Sequence, residues 1–352
     1  MKHQTTRYGE IPFYKIGTFG NTADAFISKK LFLEYQTKYS FPKKGDILIS
    51  ASGTIGRAVI YDGKPAYFQD SNIVWIDNDE TLVKNDFLFY AYSNVKWNTE
   101  HTTILRLYND NFRNTLIPLP PLNEQIAIAN ILSGLDRYLC ALDALILKKE
   151  SVKKALSFEL LSQRKRLKGF NQTWQKVRLG DIANYLTSNL SVEQITQQGK
   201  IKVYDVNNFI GYTDTTFISD KPYISIVKDG SVGRVRILPP KTNILSTMGA
   251  LIANHKTTTE FLFYLLSNFD FKNFTSGSII PHIYFKDYKE KTIFLPPLNE
   301  QIAIANILSA LDSEIISLKN KKRQFENIKK ALNHDLMSAK IRVLKKSVLQ
   351  QK

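Results

Sequence analysis

Residues 119–133 read LPPLNEQIAIANILS, and residues 295–309 repeat the same letters without one change. The similarity continues upstream in a weaker form. FLFYAYSN matches FLFYLLSN and GTIGR matches GSVGR, beginning at Phe87, Phe261, Gly53 and Gly230 respectively. An internal repeat on this scale predicts a tandem architecture. Each half then consists of a variable globular part followed by a nearly constant segment.

The constant segments have the pattern of long helices. Asn123 and Asn299 are placed as N-caps, with Glu124 and Glu300 in the first turn, where negative charge is favourable. Apolar residues then recur every seven positions over about five heptads, with a few lysines in the series, which predicts a coiled coil. Because one helix enters the second globular part and the other leaves it, we expect them to be antiparallel. The alternative is two unrelated amphipathic helices in separate cores.

The predicted fold class is α/β (α+β), a pseudo-two-fold tandem repeat with two mixed α/β domains separated by two long helices that form an antiparallel coiled coil. The GxxG pairs in GTIGR and GSVGR lie between apolar strands, which favours hairpin turns over an RNA-binding clamp. The predicted boundaries are 1–118 for domain 1, 119–168 for helix 1, 169–294 for domain 2 and 295–346 for helix 2.

The charge of the chain indicates a polyanionic partner. The 352 residues carry a net charge of +16, spread through sequence that looks folded. Nucleic acid is the first candidate, and an acidic membrane surface or a generally basic composition is the alternative. No stretch reaches the apolar length of a membrane span, and the N-terminus does not resemble a secretory signal. With Cys140 as the one cysteine, we expect a cytoplasmic protein.

The motifs of a self-sufficient enzyme are missing from the sequence. There is no GxGxxG or GxxxxGK[ST] phosphate-binding loop, and the five histidines are scattered. The paired carboxylates and lysine of a PD…ExK nuclease are absent, as is the [DNS]PP[YF] motif of a base methyltransferase. We therefore expect no metal site and no catalytic residues in this chain.

Two variable modules, each closed by LPPLNEQ and a long helix, resemble the specificity (S) subunit of type I restriction–modification systems. WQKVRLGDIANYL, from Trp174, is similar to the usual opening of a recognition domain in that family, and GTIGR and GSVGR to its internal hairpin. The resemblance covers nearly the whole chain. It implies a non-catalytic subunit that reads a bipartite, asymmetric site in double-stranded DNA, one half per domain.

The resemblance also implies partners. Two methyltransferase subunits would dock on the repeated segments and bring restriction subunits with them, and S-adenosylmethionine, ATP and Mg²⁺ would be bound by those partners. No membrane is involved. The alternative function is a stand-alone sequence-specific DNA-binding protein, for example a regulator.

Family analogy places DNA-reading residues around the two hairpins and just before the LPP segments, although each of these side chains also fits a solvated surface role. The predicted DNA-binding residues are Lys43, Lys44, Ser52, Thr54, Arg57 and Arg106 in domain 1, and Lys228, Ser231, Arg234, Arg236, Ser278 and His282 in domain 2. The predicted partner-docking residues are Asn123, Glu124, Gln125, Asn299, Glu300 and Gln301, for which simple helix capping is the alternative.

One feature departs from the family pattern. Domain 2 begins with the Trp174 segment well before GKIKVY, whereas eight residues precede the corresponding GEIPFY, which starts at Gly9. We therefore expect domain 1 to lack an opening strand, through a different start or a truncation, with consequences for its DNA reading.

Overall fold

The chain forms two compact units in a computed structural model, which describes residues 4–68, 72–97 and 106–344. Unit 1 combines Met1–Asp143 with Lys321–Lys352, and unit 2 is Ala144–Asn320. Each unit therefore contains one globular part, the beginning of one long helix and the end of the other.

Unit 1 is built on two three-stranded sheets. Its strands and short helices are β1 (Ile11–Tyr14), β2 (Ala25–Ile27), α1 (Lys29–Lys38), β3 (Ile47–Ser50), β4 (Ala58–Ile60), β5 (Tyr67–Phe68), β6 (Ile73–Trp75), α2 (Asn85–Tyr92) and α3 (Asn109–Arg113). The sheet orders are β2-β1-β5, with β5 parallel to β1, and β4-β3-β6, which is antiparallel. Strand β3 is buried on both faces because α2 covers it from one side.

Unit 2 repeats this plan with additional strands. After the first long helix, α4 (Leu122–Leu161), come β7 (Gln175–Arg178), β8 (Ala183–Thr187), β9 (Ile201–Tyr204), β10 (Phe209–Thr213), β11 (Tyr223–Val227), β12 (Val235–Leu238), β13 (Asn243–Ile244), β14 (Met248–Ala253), α5 (Thr259–Ser267), β15 (Thr275–Ser276), β16 (His282–Ile283), α6 (Phe285–Tyr288), β17 (Thr292–Leu295) and the second long helix, α7 (Leu298–Met337). The main sheets are β10-β9-β13 and β12-β11-β14-β8.

The Trp174 segment accounts for the difference between the units. In unit 2 it supplies β7, which pairs with β17, and β8, which adds a fourth strand beside β14. Within the described residues of unit 1, the β4-β3-β6 sheet has three strands and residues 116–119 form no strand. The described residues of the two units therefore differ at this edge of the sheet, and the expected lack of an opening strand in the first domain stays a prediction.

The two long helices are shorter than the segments predicted from the repeat. Each has 40 residues, and they end at Leu161 and Met337 rather than continuing through the basic sequences that follow. Gln163 and Ala339, just beyond the helix ends, have positive φ angles of 62° and 55°, so the backbone leaves the helical path there. Residues 345 and 346 of the predicted second segment lie outside the described residues.

The N-cap prediction was wrong for both helices. The helices begin at Leu122 and Leu298, so Asn123 and Asn299 lie inside the first turn. Each Asn Oδ1 accepts a hydrogen bond from the backbone N–H of the next residue at 2.9 Å. The helices begin earlier than predicted because the second proline of each pair already supplies the first helical carbonyl. Pro121 accepts from the N–H of Gln125, and Pro297 accepts from the N–H of Gln301.

Within each unit the two helix segments run antiparallel. In unit 1, Asp143 pairs with Lys322 at 2.7 Å, and Asp136 pairs with Lys329 further along. Residue numbers rise on one helix as they fall on the other, which is the antiparallel sense. Buried residues spaced three and four apart, such as Ile128 and Leu132, form the apolar side of the contact.

Unit 2 shows the same register. Lys149 pairs with Glu314 at 2.8 Å, and Lys153 with Asp312 at 2.5 Å. Lys149 and Lys153 belong to the lysines that interrupt the apolar series, so these interruptions are matched by carboxylates on the facing helix. Such polar pairs penalise any shift in register, because a shift would leave a partly buried charge without its partner.

A repeated Tyr–Asp–Lys contact joins each short aromatic helix to the long helices. In unit 1, Tyr90 donates to Asp136 at 2.7 Å, and Lys329 lies over the Tyr90 ring at 5.6 Å. In unit 2, Tyr264 donates to Asp312 at 2.9 Å, with Lys153 over its ring at 5.7 Å. Burial and the neighbouring carboxylate raise the pKa of both tyrosines, so they remain donors at neutral pH.

The first-turn glutamates are buried and paired with an arginine beyond the end of the other helix. Glu300 accepts from Arg166 at 2.6 Å and from the indole N–H of Trp174 at 2.9 Å. Glu124 accepts from the guanidinium of Arg342, with Nε at 3.2 Å from both carboxylate oxygens. These hydrogen bonds hold the pKa of Glu124 below its ordinary value.

The predicted hairpins are present in both units. β3 pairs with β4 and β11 with β12, and the intervening glycines have φ angles near +80° at Gly56, Gly230 and Gly233. A Cβ on Gly56 would lie 2.2 Å from the Trp97 ring, and one on Gly233 would lie 2.6 Å from Phe271. The second glycine of GxxG is therefore required both for its backbone conformation and for close aromatic packing.

Helix α7 contradicts the expectation that no stretch of the chain is long and apolar enough to span a membrane. It contains an 18-residue window long and apolar enough to cross a membrane. Ile304 and Leu308 from this helix are fully buried in the core of unit 2. The window as a whole is 28% buried within the structure, and its length and composition alone are weak evidence for a membrane span.

We predict that Gly233→Ala destabilises the protein more than Gly230→Ala. Both glycines have nearly the same φ, +80° and +81°, so both substitutions incur the left-handed backbone cost of about 1–2 kcal/mol. Only Gly233 faces a ring within contact, which adds about 1–3 kcal/mol of overpacking. Chemical unfolding of the two variants measures the difference, and equal losses of stability would contradict the close-packing role.

We also predict that Arg166→Ala lowers the free energy of unfolding by about 3 kcal/mol, since it leaves the buried Glu300 carboxylate without its cation. Lys168→Ala is the control, because Lys168 is exposed on the same segment and should change stability by less than about 0.5 kcal/mol. Urea unfolding monitored by circular dichroism provides the measurement. Similar effects of the two substitutions would show that the ion pair contributes little.

Candidate nucleic-acid interface

In each unit, the hairpin loop meets a second loop that is distant in sequence. In unit 1, Ser52 and Arg106 form an isolated antiparallel bridge, and the N–H of Leu107 donates to the carbonyl of Ala51 at 2.8 Å. In unit 2, Asp229 and His282 occupy the matching positions and form the same kind of bridge. We call each of these meeting points a hairpin junction, defined by Ser52 and Arg106 in unit 1 and by Asp229 and His282 in unit 2.

Backbone hydrogen bonds hold the unit 2 junction on both sides. The N–H of Gly230 donates to the carbonyl of Pro281 at 2.8 Å, and the N–H of Ile283 donates to the carbonyl of Lys228 at 2.9 Å. The second loop is itself the turn between β15 and β16. Two turns are thus joined side by side, and both present short polar side chains at the surface.

The unit 1 junction brings together four of the predicted DNA-binding residues, namely Ser52, Thr54, Arg57 and Arg106. Thr54 and Arg106 are exposed, while Ser52 is buried and its Oγ bonds to Oδ1 of Asn72 at 2.8 Å. Ser52 therefore supports the junction rather than presenting its hydroxyl. Arg57 is exposed at the end of the loop, and its guanidinium donates to the carbonyl of Phe19 at 2.9 Å.

The unit 2 junction brings together five predicted residues, namely Lys228, Ser231, Arg234, Ser278 and His282. Ser231, Arg234 and Ser278 are exposed, whereas Lys228 and His282 are half-buried. Nδ1 of His282 lies 2.7 Å from Oδ1 of Asp229. Asp229 was not singled out from the sequence, although its position immediately before GSVG marks it as a junction residue.

Exposed aromatic and apolar residues surround this second junction. Ile279 is 92% exposed and Ile280 54% exposed in the turn next to His282. Tyr284 stacks on His282 with 6.5 Å between ring centroids, and Lys286 lies over the Tyr284 ring. None of the three hydrophobic residues was predicted as a site residue, because an isolated exposed Ile or Tyr is common on protein surfaces.

Three predicted DNA-binding residues lie away from the junctions. Lys43 and Lys44 precede β3, at the end of that strand opposite the hairpin loop, and Lys43 pairs there with Asp77 at 2.9 Å. Arg236 lies within β12, donates to the carbonyl of Asn207 and packs 5.2 Å from the Tyr204 ring. Their sequence proximity to the hairpins did not reveal this, because a strand separates its two ends in space.

Most of the predicted docking residues face inward. Glu124, Gln125, Glu300 and Gln301 are all buried. Gln125 bonds to the backbone of Leu82, Lys84 and Pro120, and Gln301 bonds in the same manner to Lys256, Thr258 and Pro296. These side chains join the helix start to the loop before α2 or α5. Docking by the two triplets stays a prediction, for which only Asn123 and Asn299 are exposed.

The described residues contain no group of three or more His, Cys, Asp or Glu side chains arranged to hold a metal ion. The polar side chains that converge at the junctions are hydroxyls, guanidinium groups and an imidazole–carboxylate pair. This set of groups is suited to hydrogen bonding with phosphates and base edges.

Both halves of the chain match the same known protein family. Residues 1–150 and 171–327 match the model of the type I restriction modification DNA specificity domain, so the match occurs twice and covers most of the chain. A putative type I restriction enzyme specificity subunit from Haemophilus influenzae is 64% identical over 137 residues, which is 39% of this chain and 36% of that protein. The match therefore spans about a third of that relative's length.

Longer but weaker similarity extends to Methanocaldococcus jannaschii. A putative type I restriction enzyme specificity subunit from that organism is 29% identical over 337 residues, covering 85% of this chain and 79% of the relative. Among solved structures, the S subunit of a type I restriction–modification system from M. genitalium superimposes with a TM-score of 0.63 at 20% identity, covering 96% of this chain and 91% of that one.

A second solved structure, from work on complex assembly and conformational transition of the type I restriction–modification system, has a TM-score of 0.51 at 16% identity, covering 84% of this chain and 82% of that one. At these identities the structures support the fold, and the doubled family match supports the assignment. This chain belongs to the family of type I restriction–modification specificity subunits.

Proposed function

We propose that this chain reads a bipartite, asymmetric site in double-stranded DNA, with one hairpin junction reading each half. The observation that carries the proposal is the recurrence of the same junction in both units with different side chains on it. Thr54, Arg57 and Arg106 are exposed at one junction, and Ser231, Arg234 and Ser278 at the other. The arginine at the end of the hairpin is shared, whereas Ser52 and Arg106 are replaced by Asp229 and His282. A shared scaffold with different reading groups would give two different half-sites.

The overall charge supports the same proposal. Lysine and arginine side chains neutralise phosphates and release condensed counterions, which provides affinity without sequence information. The chain carries a net charge of +16, so a large part of its affinity would be of this kind. Lys43, Lys44 and Arg236, which lie away from the junctions, fit this positioning role better than base reading.

The shape of the junction suits direct reading in the major groove. That groove admits a two-stranded ribbon, and its base edges present patterns of hydrogen-bond donors and acceptors. An exposed guanidinium such as that of Arg234 can pair with guanine through two hydrogen bonds. The Ser231 hydroxyl can donate or accept a hydrogen bond and therefore discriminates less between bases. The exposed Ile279 would provide an apolar contact, for which the thymine methyl group is suited.

We further propose that two methyltransferase subunits dock on the identical repeat and bring restriction subunits to the complex. Leu122 and Ile126 are 38% and 46% exposed, and the equivalent Leu298 and Ile302 are 46% and 49% exposed. These pairs are four residues apart and therefore share one face of their helix. Exposed apolar pairs that recur at both helix starts fit one partner bound twice, and Asn123 and Asn299 lie beside them.

In this proposal the chemistry resides in the partners. The methyltransferase subunits would bind S-adenosylmethionine, and the restriction subunits would bind ATP and Mg²⁺, so the isolated chain would be catalytically inactive and would act in the cytoplasm. A stand-alone DNA-binding regulator is the competing function. It would bind its site with full affinity and would retain no methyltransferase when isolated from cells that express both.

We predict that Arg234→Ala alters recognition in one half-site. Loss of a bidentate contact to guanine weakens binding by about 1–3 kcal/mol and relaxes the choice of base at that position. Arg236→Ala is the matched control. It removes the same charge two residues further along the chain, from a side chain that donates to the carbonyl of Asn207. A methylation map of DNA exposed to each assembled complex measures the specificity, and salt titrations measure the affinity.

The control should reduce affinity uniformly across sequences and lower the salt dependence by about one ion. An unchanged methylation motif in the Arg234→Ala complex would reject base reading by that arginine. A changed methylation motif in the Arg236→Ala complex would show that bases are read by the face of β12 rather than by the junction.

We predict that replacing Leu122 and Ile126 together with Ser removes one of two methyltransferase subunits. Replacing Leu298 and Ile302 should remove the other, because exposed apolar groups at an interface lose their buried area when truncated. Native mass spectrometry of co-expressed complexes counts the subunits. Leu147→Ser with Val152→Ser is the control, since these residues are exposed on α4 outside the repeat.

A complex that retains both methyltransferase subunits in both double variants would place docking elsewhere on the helices. Loss of a subunit in the Leu147 and Val152 control would have the same consequence. Circular dichroism of each variant checks that the helices remain formed, and the substituted positions are all at the surface of their units.

A further inference from the structure

The space beside Glu124 in unit 1 corresponds to the place that a tryptophan fills in unit 2. A cavity of about 280 Å³ lies there, lined among others by Phe87, Leu119, Glu124, Ile128, Leu336 and Arg342. This volume is below the roughly 300–1,000 Å³ typical of small-molecule pockets. It is on the scale of one large side chain.

The internal repeat identifies the equivalent residues in unit 2. They are Phe261, Leu295, Glu300, Ile304, Leu160 and Arg166, in the same order. The five hydrophobic or acidic members are buried, and the four hydrophobic ones belong to the same buried cluster as Trp174. The indole N–H of Trp174 donates to Glu300 at 2.9 Å. In unit 2, four of these positions thus share a buried cluster with an indole that bonds to the glutamate, and in unit 1 the six equivalent positions line a cavity.

Within the described residues of unit 1, no tryptophan lies at the equivalent position. The other two tryptophans are Trp75 in β6 and Trp97 beside the hairpin, so both are used elsewhere. The sequence after Arg342 aligns with the sequence after Arg166 and has Gln350 at the position of Trp174. Glu124 accepts hydrogen bonds from Arg342 and from the backbone N–H of Val343, whereas Glu300 accepts from Arg166 and from the indole of Trp174.

The backbone next to the cavity also lacks its unit 2 partner. Strand β17 pairs with β7, in a register that sets Leu295 opposite Gln175 and Ile293 opposite Val177. The equivalent residues 116–119 of unit 1 form no strand within the part of the chain that is described. Leu119 is 42% exposed where Leu295 is 5% exposed. An unpaired edge and an open indole site thus lie side by side.

We propose that this cavity, with the edge at residues 116–119, is a binding site for an extended peptide led by tryptophan and supplied by another chain. The peptide would carry the pattern of residues 174–179, WQKVRL. Its indole would enter the cavity and donate to Glu124, and its backbone would pair along the edge by β-augmentation. Binding would pair residues 116–119 in the way that β7 pairs with β17 in unit 2.

Most of the affinity would come from the tryptophan. Pro118 stands where unit 2 has Phe294 and has no N–H to donate, so the strand pairing offers fewer hydrogen bonds. A buried tryptophan removes about 150–250 Å² of surface from water and usually finds a partner for its N–H. Glu124 is such a partner, because its carboxylate can accept further hydrogen bonds beside Arg342.

The test uses the full chain and a fluorescent peptide with the sequence of residues 171–182, NQTWQKVRLGDI. We expect saturable binding by fluorescence anisotropy and a rise in the melting temperature of the protein, because the ligand binds the folded state. A peptide with Trp174→Ala should bind at least tenfold more weakly. A peptide with Lys176→Ala is the matched control and should bind as the parent does, since Lys176 is exposed in unit 2.

Protein variants test the site itself. Glu124→Gln should weaken the parent peptide about tenfold, whereas Glu34→Gln, on exposed α1, should leave its affinity unchanged. If Glu124→Gln impairs folding, Leu119→Trp serves instead, since an indole at the mouth of the cavity should block the peptide. Absence of binding by the parent peptide, or equal binding of the Trp174→Ala peptide, would overturn the proposal.

Discussion

A carboxylate buried in the first turn of each long helix constrains the whole architecture. Glu124 and Glu300 lie inside the protein, where an unpaired charge would be strongly unfavourable. Their cations, Arg342 and Arg166, come from segments beyond the far end of the other long helix, 218 and 134 residues away in sequence. Each ion pair therefore requires the two helices to be antiparallel and in one register. The lysine–aspartate pairs along the helices, such as Lys153 with Asp312, fit the same register.

Residues next to these glutamates, and residues that contact the long helices, connect the helix register to the hairpin junctions. Gln125 and Gln301 hold the loops before α2 and α5, and Tyr90 and Tyr264 join those helices to aspartates on the long helices. Helices α2 and α5 pack against the central strands β3 and β11, which lead into the hairpins. A continuous path of packed and hydrogen-bonded residues thus connects each helix start to its hairpin junction. Side chains on the junction can then vary while its support stays constant.

Much of this fold could be predicted because the repeat and its period are local properties of the sequence. The long helices, the short aromatic helices and the GxxG hairpins follow from periodicity and glycine placement, and all are present. The burial of Glu124, Gln125, Glu300 and Gln301 could not be predicted in this way. A polar triplet at a helix start has the same pattern whether it faces water or a distant arginine. For the same reason Lys43 and Arg236 seemed close to the hairpin loops, although the length and direction of β3 and β12 place them elsewhere.

Two separate requirements act on the repeated LPPLNEQIAIANILS. Its inner positions, including Glu124, Gln125 and Ile128, are fixed by contacts within the unit, and the equivalent residues of unit 2 make equivalent contacts. Packing does not account for identity at Leu122 and Ile126, which face away from the core. Exposed positions tolerate substitution with small effects on stability, so stability alone would allow the two copies to differ there. The proposed docking of one partner at both helix starts would account for identity on this outer face, because the same surface would then be used twice.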